Sequence, residues 1–124
     1  MEQQFFKCAV CGQIVAMVKQ TKVPVMCCGA PMQKIVAGTT EASIEKHIPK
    51  YTVIDGIVKV DVGSVEHPMT EDHYIEWVSL QTKKGNQRKS LKPSTKPYVE
   101  FLIEKEDQVE AVYAYCNLHG LWKA

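Results

Sequence analysis

The chain has 124 residues, a hydrophobic content of 45% and a formal net charge of +1 at pH 7. This length suits one ordinary domain, or a small module joined to one. The near-zero charge argues against bulk electrostatic affinity for nucleic acid or acidic membranes. No apolar run approaches the roughly 20 residues that a membrane-spanning helix needs, and the N-terminal segment does not have the pattern of a signal peptide. We therefore expect a cytoplasmic protein whose cysteines are metal ligands or redox groups rather than disulfides.

The first 36 residues differ in character from the rest of the chain. They contain two short apolar stretches, KCAVCGQIVAMV and VPVMCCGAPMQKI, which are interrupted by cysteine, glycine and proline. A segment of this size cannot bury a useful core alone and usually needs a metal or a disulfide. The small and polar residues AGTTEAS, at positions 37–43, are typical of a linker. We therefore expect a metal-binding module over residues 1–36 and a second domain over residues 37–124.

The second segment has the pattern of an all-β domain. KYTVIDGIVKVDVG places two β-branched runs around Asp55-Gly56, which predicts a hairpin. HYIEWVSLQT alternates as a strand does, with apolar residues on both faces, and YVEFLIEKED and QVEAVYAYC predict further strands. KKGNQRKS, at residues 83–90, is interpreted as a turn, and no stretch shows a helical period. Several short strands at this spacing predict a β-sandwich.

Four cysteines in the first segment have the spacing of a metal site. Cys8 and Cys11 form a C-x2-C pair followed by Gly12, and Cys27 and Cys28 are adjacent. Four thiolates complete a tetrahedral site for zinc or iron. An ordinary zinc ribbon would repeat the C-x2-C spacing, whereas a vicinal pair must strain the backbone to direct both sulfurs at one metal. These residues alone leave iron and zinc open, including a zinc site that only holds the module together.

The histidines suggest a second site. A lone histidine is more often a surface or core residue than a ligand, but one site with four imidazoles and one thiolate accounts for every histidine and for the fifth cysteine. Five protein ligands fit structural zinc poorly, and type 1 copper is disfavoured because the last methionine, Met69, precedes the cysteine. Iron with an axial thiolate and one open position is the better interpretation. The candidate ligands are His47, His67, His73, Cys116 and His119.

Four stretches in chain order, CAVC…CC, EKHIP, HPMTEDHYIEW and YCNLHGLW, strongly resemble the superoxide reductase family in its two-iron-centre form, desulfoferrodoxin. The resemblance covers nearly the whole chain. It implies a desulforedoxin-like Fe(Cys)4 centre followed by an immunoglobulin-like β-sandwich with a catalytic Fe(His)4(Cys) centre. The first iron would be held by Cys8, Cys11, Cys27 and Cys28. The second would be held by His47, His67, His73 and His119 in a plane, with Cys116 axial.

The resemblance also implies an activity. A superoxide reductase reduces superoxide by one electron to hydrogen peroxide at the open position of the ferrous site, releases no dioxygen and needs an outside reductant. Rubredoxin is the usual donor of the family, and its members are typically homodimers. Zinc is a possible substitute for iron at the four-cysteine centre, and that centre could serve either to relay electrons or to support the dimer.

Two charged residues beside the first histidine acquire roles through the same resemblance. The glutamate matching Glu45 closes onto the ferric iron after turnover, and the lysine matching Lys46 lies near the open site. A cation there would attract an anionic substrate and stabilise negative charge on the product. Taken alone, such a pair is usually a solvated pair on a loop. Lys50 would add to the positive field and Glu66 would weaken it, with the balance left to the structure.

Two other classes of function compete with an enzyme. The chain could be a two-centre electron-transfer protein whose histidine-ligated iron never binds substrate, although the sequence offers no sixth ligand except Glu45. It could also be a structural zinc protein or a binding module. Metal analysis separates these classes, because two irons per chain with negligible zinc would exclude the structural alternative.

Overall fold

The chain folds almost entirely as short antiparallel strands. A computed structural model describes residues 2–124, which divide into two units, the first ending at Val36 and the second Ala37–Ala124. The single described helix is one turn long, Ile44–His47 (α1). No helix of the described chain has the length and apolar character needed to cross a membrane.

The first unit is built from five strands of two to four residues. Its three-stranded sheet has the order β2-β1-β5, and β3 pairs with β4. The strands are Gln4–Lys7 (β1), Ile14–Met17 (β2), Met26–Cys27 (β3), Ala30–Pro31 (β4) and Gln33–Lys34 (β5). The buried hydrophobic side chains described in this unit are Phe5, Cys8 and Met32. So small a core cannot offset the entropy of ordering the segment, which makes a metal the expected source of its stability.

The second unit is a sandwich of two antiparallel sheets. One sheet has three strands in the order β10-β7-β6, and the other has four in the order β12-β11-β8-β9. The strands are Pro49–Ile54 (β6), Ile57–Val62 (β7), Ile75–Thr82 (β8), Asn86–Ser90 (β9), Tyr98–Leu102 (β10), Val109–Cys116 (β11) and Gly120–Lys123 (β12). A three-on-four arrangement of antiparallel strands is that of the immunoglobulin-like sandwich. The predicted fold class is therefore confirmed.

The core of the sandwich lies between these two sheets. Alternate residues of β7, namely Val58, Val60 and Val62, point into it and are almost fully buried. They pack with buried residues of β8, β10 and β11, and the last of these is Cys116. The fifth cysteine thus belongs to the apolar core, at the end of a central strand.

The predicted hairpin is present between β6 and β7. Ile54 pairs with Ile57, and the two residues between them, Asp55 and Gly56, have φ angles of 51° and 74°. Positive φ at both central positions is what the tightest hairpin turns require, because their twist then matches that of the strands. The local sequence therefore determines this turn.

The strict alternation predicted for residues 73–82 is wrong at one point. Ile75 and Val78 both belong to the core cluster, although an odd spacing should place them on opposite faces. On β11, Tyr115 pairs with Trp77, but the next residue, Cys116, pairs with Ile75, so β8 carries one extra residue there. This β-bulge turns both Ile75 and Val78 inward.

Two further expectations are corrected by the structure. The predicted turn over residues 83–90 is confined to its first part, because Asn86–Ser90 forms the edge strand β9 with every residue exposed. Charged and polar residues on an edge strand discourage pairing with other chains, which explains why the segment does not have a strand-like pattern. The short helix α1 was not predicted either, and it carries Glu45, Lys46 and His47.

Candidate metal centres

The four cysteines of the first unit form one cluster. The Sγ atoms of Cys8, Cys11, Cys27 and Cys28 all lie within 4.8 Å of one another. The Sγ atoms of Cys11 and Cys27 are 3.6 Å apart, which is too far for a disulfide. Thiolates about 2.3 Å from a tetrahedral metal lie about 3.8 Å from each other. The cluster therefore has the dimensions of a single four-thiolate metal site.

The backbone around the cysteines directs their sulfur atoms toward a single metal site. The N–H of Cys11 points at Cys8 Sγ over 3.4 Å, and the N–H of Gly12, at φ 80°, donates to the Cys8 carbonyl over 3.0 Å. Cys28 has a φ of 51°, an uncommon value for a residue with a side chain. This is the strain predicted from the vicinal pair, because two neighbouring residues must direct their sulfurs to the same point.

The cysteine cluster needs a positive charge. The backbone N–H of Cys11 is the main cause that lowers the pKa of Cys8 to about 6. The pKa of Cys27 is instead raised to about 12, mainly by its hydrogen bond with Cys8 and then by that with Cys11. The raised pKa of Cys27 opposes formation of its thiolate while no cation is present, whereas a metal stabilises the thiolates that bind it.

All four histidines come together in the second unit as a closed square of rings. His47 and His67, His67 and His73, His73 and His119, and His119 and His47 have ring centroids 4.6, 4.7, 5.0 and 5.0 Å apart. Each neighbouring pair meets edge to face, with interplanar angles between 77° and 87°. Across the square, the centroids of His47 and His73 are 6.4 Å apart. Four imidazole edges thus converge on one central point.

The inward nitrogens have the spacing of metal ligands. His47 Nε2 lies 3.1 Å from His67 Nε2 and 3.2 Å from His119 Nδ1. Two nitrogens about 2.1 Å from a metal and at right angles to each other are about 3.0 Å apart. His73 Nε2 is buried and has no hydrogen-bond partner in the described chain. The square therefore fits a metal, and a metal would complete the coordination of His73 Nε2.

Main-chain carbonyls determine which nitrogens face inward. His47 Nδ1–H donates to Ser43 O over 2.6 Å, and His67 Nδ1–H donates to Pro68 O over 2.7 Å. A carbonyl only accepts, so the ring protons lie on Nδ1, and Nε2 of each neutral ring carries a lone pair. Two such lone pairs 3.1 Å apart repel each other unless a cation lies between them. Bonds of this kind orient metal-bound histidines and raise their basicity.

Burial keeps these rings neutral and ready to bind a metal. It is the main cause that lowers the pKa of His47 and His73, and it lowers the pKa of His67 to about 4. Neighbouring histidines and, for His47 and His73, the positive charge of Lys46 lower it further. Neutral imidazole is the form that binds metals.

Cys116 joins the square from the core side. It is fully buried, and it belongs with His47, His67 and His73 to a set of donor atoms within 4.8 Å of one another. Its Sγ is 3.9 Å from His119 Nδ1 and receives the N–H of His119 over 3.4 Å. Burial raises the pKa of the Cys116 thiol, while the N–H groups of His119 and Leu118 lower it. A buried thiolate here therefore needs the metal that the histidines surround.

Glu45 and Lys46 lie beside the square, not within it. Both are exposed on α1, and among the described residues Glu45 does not belong to the set of donor atoms that lie within 4.8 Å of one another at the square. The Glu45 N–H is the main cause that lowers the pKa of its own carboxyl group, which is therefore ionised at neutral pH. Lys46 lines a cavity of about 380 Å³ that reaches His67. The structure thus brings together all the predicted ligands but leaves Glu45 outside.

The sequence did not decide whether the positive charge of Lys50 or the negative charge of Glu66 has the larger effect on the electrostatic field at the site. Glu66 lines the cavity at His67, where Lys46 and Lys96 outnumber it. Lys50 lines instead an adjoining cavity of about 430 Å³, together with Lys59, Lys96, Asp61 and Glu66. The field beside His67 is therefore positive because of Lys46 and Lys96, and Lys96 was not identified from the sequence.

Trp122 is a further side chain at the site that the sequence analysis missed. Its ring stacks on His47 with centroids 4.9 Å apart, and its Nε1–H donates to the carbonyl of His119 over 3.0 Å. It is buried and lines a cavity of about 490 Å³ with Ile44 and Ile48. The only available sequence signal was a tryptophan three residues after His119, a position that an ordinary core residue could occupy.

A four-cysteine cluster and a square of four histidines with a buried thiolate, each on its own antiparallel β unit, define a metalloprotein with two candidate metal centres. Comparisons with known proteins agree over both units. The family model described as Desulfoferrodoxin matches residues 39–124, and that described as Desulfoferrodoxin, N-terminal domain, matches residues 1–35. The chain therefore belongs to the desulfoferrodoxin family, and the two clusters correspond to the two iron centres of that family.

Individual relatives cover nearly the whole chain. It is 45% identical over 121 residues to a desulfoferrodoxin homolog of Archaeoglobus fulgidus, covering 98% of this chain and 95% of the relative. It is 43% identical over 123 residues to a desulfoferrodoxin of Nitratidesulfovibrio vulgaris, covering 99% and 96%. The crystal structure of the superoxide reductase from Treponema pallidum matches with a TM-score of 0.85 and 41% identity, covering 100% of this chain and 99% of that one.

Proposed function

We propose that this protein is a superoxide reductase, which reduces superoxide by one electron to hydrogen peroxide at its histidine–cysteine iron centre. The proposed ligands are His47, His67, His73, Cys116 and His119. The observation that carries the proposal is the closed square of histidines, whose inward nitrogens have the spacing of metal ligands and which a buried thiolate joins. These five residues would hold an iron ion and leave room beside it for a substrate, and similarity to a solved superoxide reductase over the whole chain supports the same activity.

The overall reaction needs one electron and two protons for each superoxide, which leaves as hydrogen peroxide. A bound iron would supply that electron, and an outside one-electron donor would restore it. We propose rubredoxin, or a carrier like it, as this donor. The residues of the chain have to attract the anion, hold it at the open position and stabilise the negative charge that grows on it.

Cys116 is the residue that we propose to control the electronic properties of the centre. As a thiolate it adds electron density to the metal, as axial thiolates do in other iron proteins. Its burial excludes water from the sulfur, and the N–H of His119 disperses part of its charge. This side of the square is closed by the core, so the opposite side is the one that we propose for substrate.

We propose that Lys46 provides the electrostatic attraction. Lys46 and Lys96 line the cavity at His67, so a small anion entering there would meet two positively charged residues against the single negative charge of Glu66. Such a field raises the association rate of an anion. The same ammonium group would stabilise negative charge on the reduced product and orient a water for proton delivery.

We propose that Glu45 acts after the electron has been transferred and helps to release the product. Among the described residues the carboxylate lies outside the set of donor atoms at the square, so this role requires α1 or the side chain to move. Glu45 immediately precedes Lys46, and an ionised carboxylate there would replace a departing anion.

The remaining assignments complete the proposal. We propose that residues 1–36 form the Fe(Cys)4 module and residues 37–124 the catalytic domain. We also propose a cytoplasmic location, since free thiols need a reducing compartment. The family resemblance is the basis for proposing a homodimer. Whether the Fe(Cys)4 centre relays electrons or supports the dimer is tested by replacing Cys11 and measuring reduction of the catalytic iron by rubredoxin. An unchanged rate favours the structural role.

The deciding experiment measures iron content and superoxide consumption on the same sample. We expect two irons per chain, negligible zinc, and hydrogen peroxide formed without dioxygen in the presence of a reductant. Two irons with no superoxide consumption would instead identify a two-centre electron-transfer protein. One zinc and no iron at the histidine–cysteine site would exclude both.

A Lys46→Ala variant tests the electrostatic part of the proposal. We expect slower superoxide consumption, most clearly at low ionic strength, where screening is weak. Lys105→Ala is the matched control, because Lys105 is equally exposed but lines a cavity at the Asp55-Gly56 end of the sandwich. Equal rates for the two variants at every salt concentration would contradict a steering role.

A further inference from the structure

We infer that the backbone corner formed by Gly63, Ser64 and Val65, hereafter the 63–65 corner, positions His47 and Lys46 against His67. Gly63 is then a positioning residue for the reaction proposed above. The rate measurements below rest on that proposed function, whereas the spectroscopic and metal-content measurements do not.

The helix α1 depends on contacts outside itself. It has only four residues and no side-chain cap at its N-terminus. A helix this short is not stable in isolation, and its last carbonyl groups need outside partners. The 63–65 corner supplies them for this helix and the residue after it. The N–H of Val65 donates to Glu45 O over 2.9 Å, Ser64 Oγ donates to the same oxygen over 3.3 Å, and the N–H of Gly63 donates to Ile48 O over 3.2 Å.

The corner and the helix approach so closely that only glycine fits at position 63. A Cβ atom on Gly63 would lie 2.4 Å from Val65 O, 2.6 Å from Lys46 O and 2.7 Å from Glu45 O. All three are main-chain oxygens, so no rotation of a side chain could relieve the contacts. Gly63 also has a φ of 86°, which disfavours any other residue. Two of the three oxygens belong to α1 itself.

This junction connects two of the candidate ligands. His47 is the last residue of α1, and His67 follows the corner after a single intervening residue, Glu66. Their Nε2 atoms are 3.1 Å apart, although the two residues are 20 positions apart in the chain. Because Lys46 lies on the same turn, any displacement of α1 would move both a ligand and the cation beside the cavity. Small errors of placement are costly in catalytic sites.

A pair of glycine substitutions separates collision from backbone strain. Gly63→Ala introduces both, whereas Gly38→Ala introduces only the strain, since Gly38 has a φ of 72° and a Cβ atom added there would meet nothing within 4 Å. Both variants would be prepared as the full iron-loaded protein. The measurements are iron content, the energy of the thiolate-to-iron absorption of the oxidised centre, and the superoxide rate as a function of ionic strength.

We expect Gly63→Ala to shift the absorption band, to lower the iron content of the histidine–cysteine site and to slow superoxide consumption by up to about 100-fold, with a weaker dependence on salt. Gly38→Ala should retain the band, the iron and the rate of the parent protein. A Gly63→Ala protein with the parent band and the parent salt dependence would overturn the inference. So would equal effects of the two substitutions, because strain alone would then explain them.

If the Gly63→Ala protein does not fold, Ser64→Ala tests whether the 63–65 corner positions His47 and Lys46. It removes the hydroxyl bond to Glu45 O without adding an atom, and its matched control is Ser90→Ala on the exposed edge strand. We expect a shifted band and a reduced salt dependence for Ser64→Ala alone. If both serine variants match the parent protein in band and salt dependence, the corner does not position the site. The band decides this even if the protein consumes no superoxide, so failure of the proposed function is recognised separately.

Discussion

The two units hold their candidate ligands in opposite ways. In the first unit, Cys8 is itself one of the few buried side chains, beside Phe5 and Met32. In the second, Cys116 belongs to a core cluster whose other members, including Val58 and Phe101, are not candidate metal ligands. We therefore expect the first unit to need its metal in order to fold and the second to fold without one. Metal binding and folding would then be coupled in the first unit and largely separate in the second.

The largest expected effect concerns the first unit, in which we expect folding to depend on metal binding. Cys8→Ser should remove the metal from the first unit and abolish its ordered structure, because the free energy of metal binding replaces that of a core. The second unit should keep its fold and its iron. Amide chemical-shift dispersion of residues 4–34, measured together with iron content, checks both halves of the prediction. Retained chemical-shift dispersion in the metal-free module would show that the first unit does not depend on its metal for folding.

The second effect tests the core of the sandwich. Phe101 is fully buried on β10, so Phe101→Ala should lower the free energy of unfolding of the second unit by about 3–5 kcal/mol. Its neighbour Leu102 is 74% exposed, and Leu102→Ala should change little. Denaturant unfolding followed by near-ultraviolet circular dichroism measures both variants. Iron content should be normal in each below the unfolding transition, and loss of iron before unfolding would contradict a preformed site.

A ligand substitution in the sandwich should change its spectrum far more than its fold. Cys116→Ser should abolish the visible thiolate-to-iron absorption of the oxidised centre. Burial of a hydroxyl in place of the thiol should cost only about 1–3 kcal/mol of stability. Absorption spectroscopy and thermal unfolding of the same sample test this. Survival of the band would remove Cys116 from the ligand set, and complete unfolding would make this unit as dependent on its metal as the first.

The smallest effect concerns a loop of the sandwich remote from both clusters in sequence. The Thr82 hydroxyl donates to Asp107 over 2.6 Å and is the main cause that lowers the pKa of the Asp107 carboxyl, with help from the N–H of Gln108. Because the folded pKa is below the unfolded value of about 3.9, the unfolded chain binds more protons between them. This stabilisation is present above about pH 4 and is lost as the pH falls through the folded pKa.

Asp107→Asn should therefore flatten the acid limb of the stability curve of the second unit and leave the first unit unaffected. Chemical denaturation between about pH 3 and pH 6 is the appropriate measurement, since this range spans the ordinary carboxyl pKa. An unchanged acid limb would mean that Asp107 has the same pKa in the folded and unfolded chain.

Local sequence predicts some features of this molecule well, and the reasons are physical. The turn at Asp55-Gly56 is determined by two residues that accept positive φ, and the strands around it by their β-branched residues. The members of both clusters could be named because thiolates and imidazoles have few other reasons to occur in such spacings. The same residues also gave the partition between two centres, because four cysteines complete one site and the histidines with the fifth cysteine account for another. The resemblance to a known family added the roles of Glu45 and Lys46.

Other features depend on partners that the sequence does not place. The bulge beside Ile75 exists because of how β8 pairs with β11, and β9 is a strand because β8 offers it an edge. The helix α1 is held by main-chain bonds from the 63–65 corner, almost twenty residues further along the chain. Such long-range hydrogen bonds leave no periodic signal, so the segments that they order resemble loops in the sequence.

The protons of His47 and His67 are accepted by the main-chain oxygens of Ser43 and Pro68. Every amino acid brings such an oxygen, so no replacement of a side chain at position 43 or 68 deletes the acceptor. The basicity of these two imidazoles is thereby shielded from point mutation, unlike that of histidines oriented by an aspartate or glutamate. Side-chain substitutions around the square can change which anions reach the site and how fast they arrive. The affinity of these two rings for a metal depends instead on the position of the backbone.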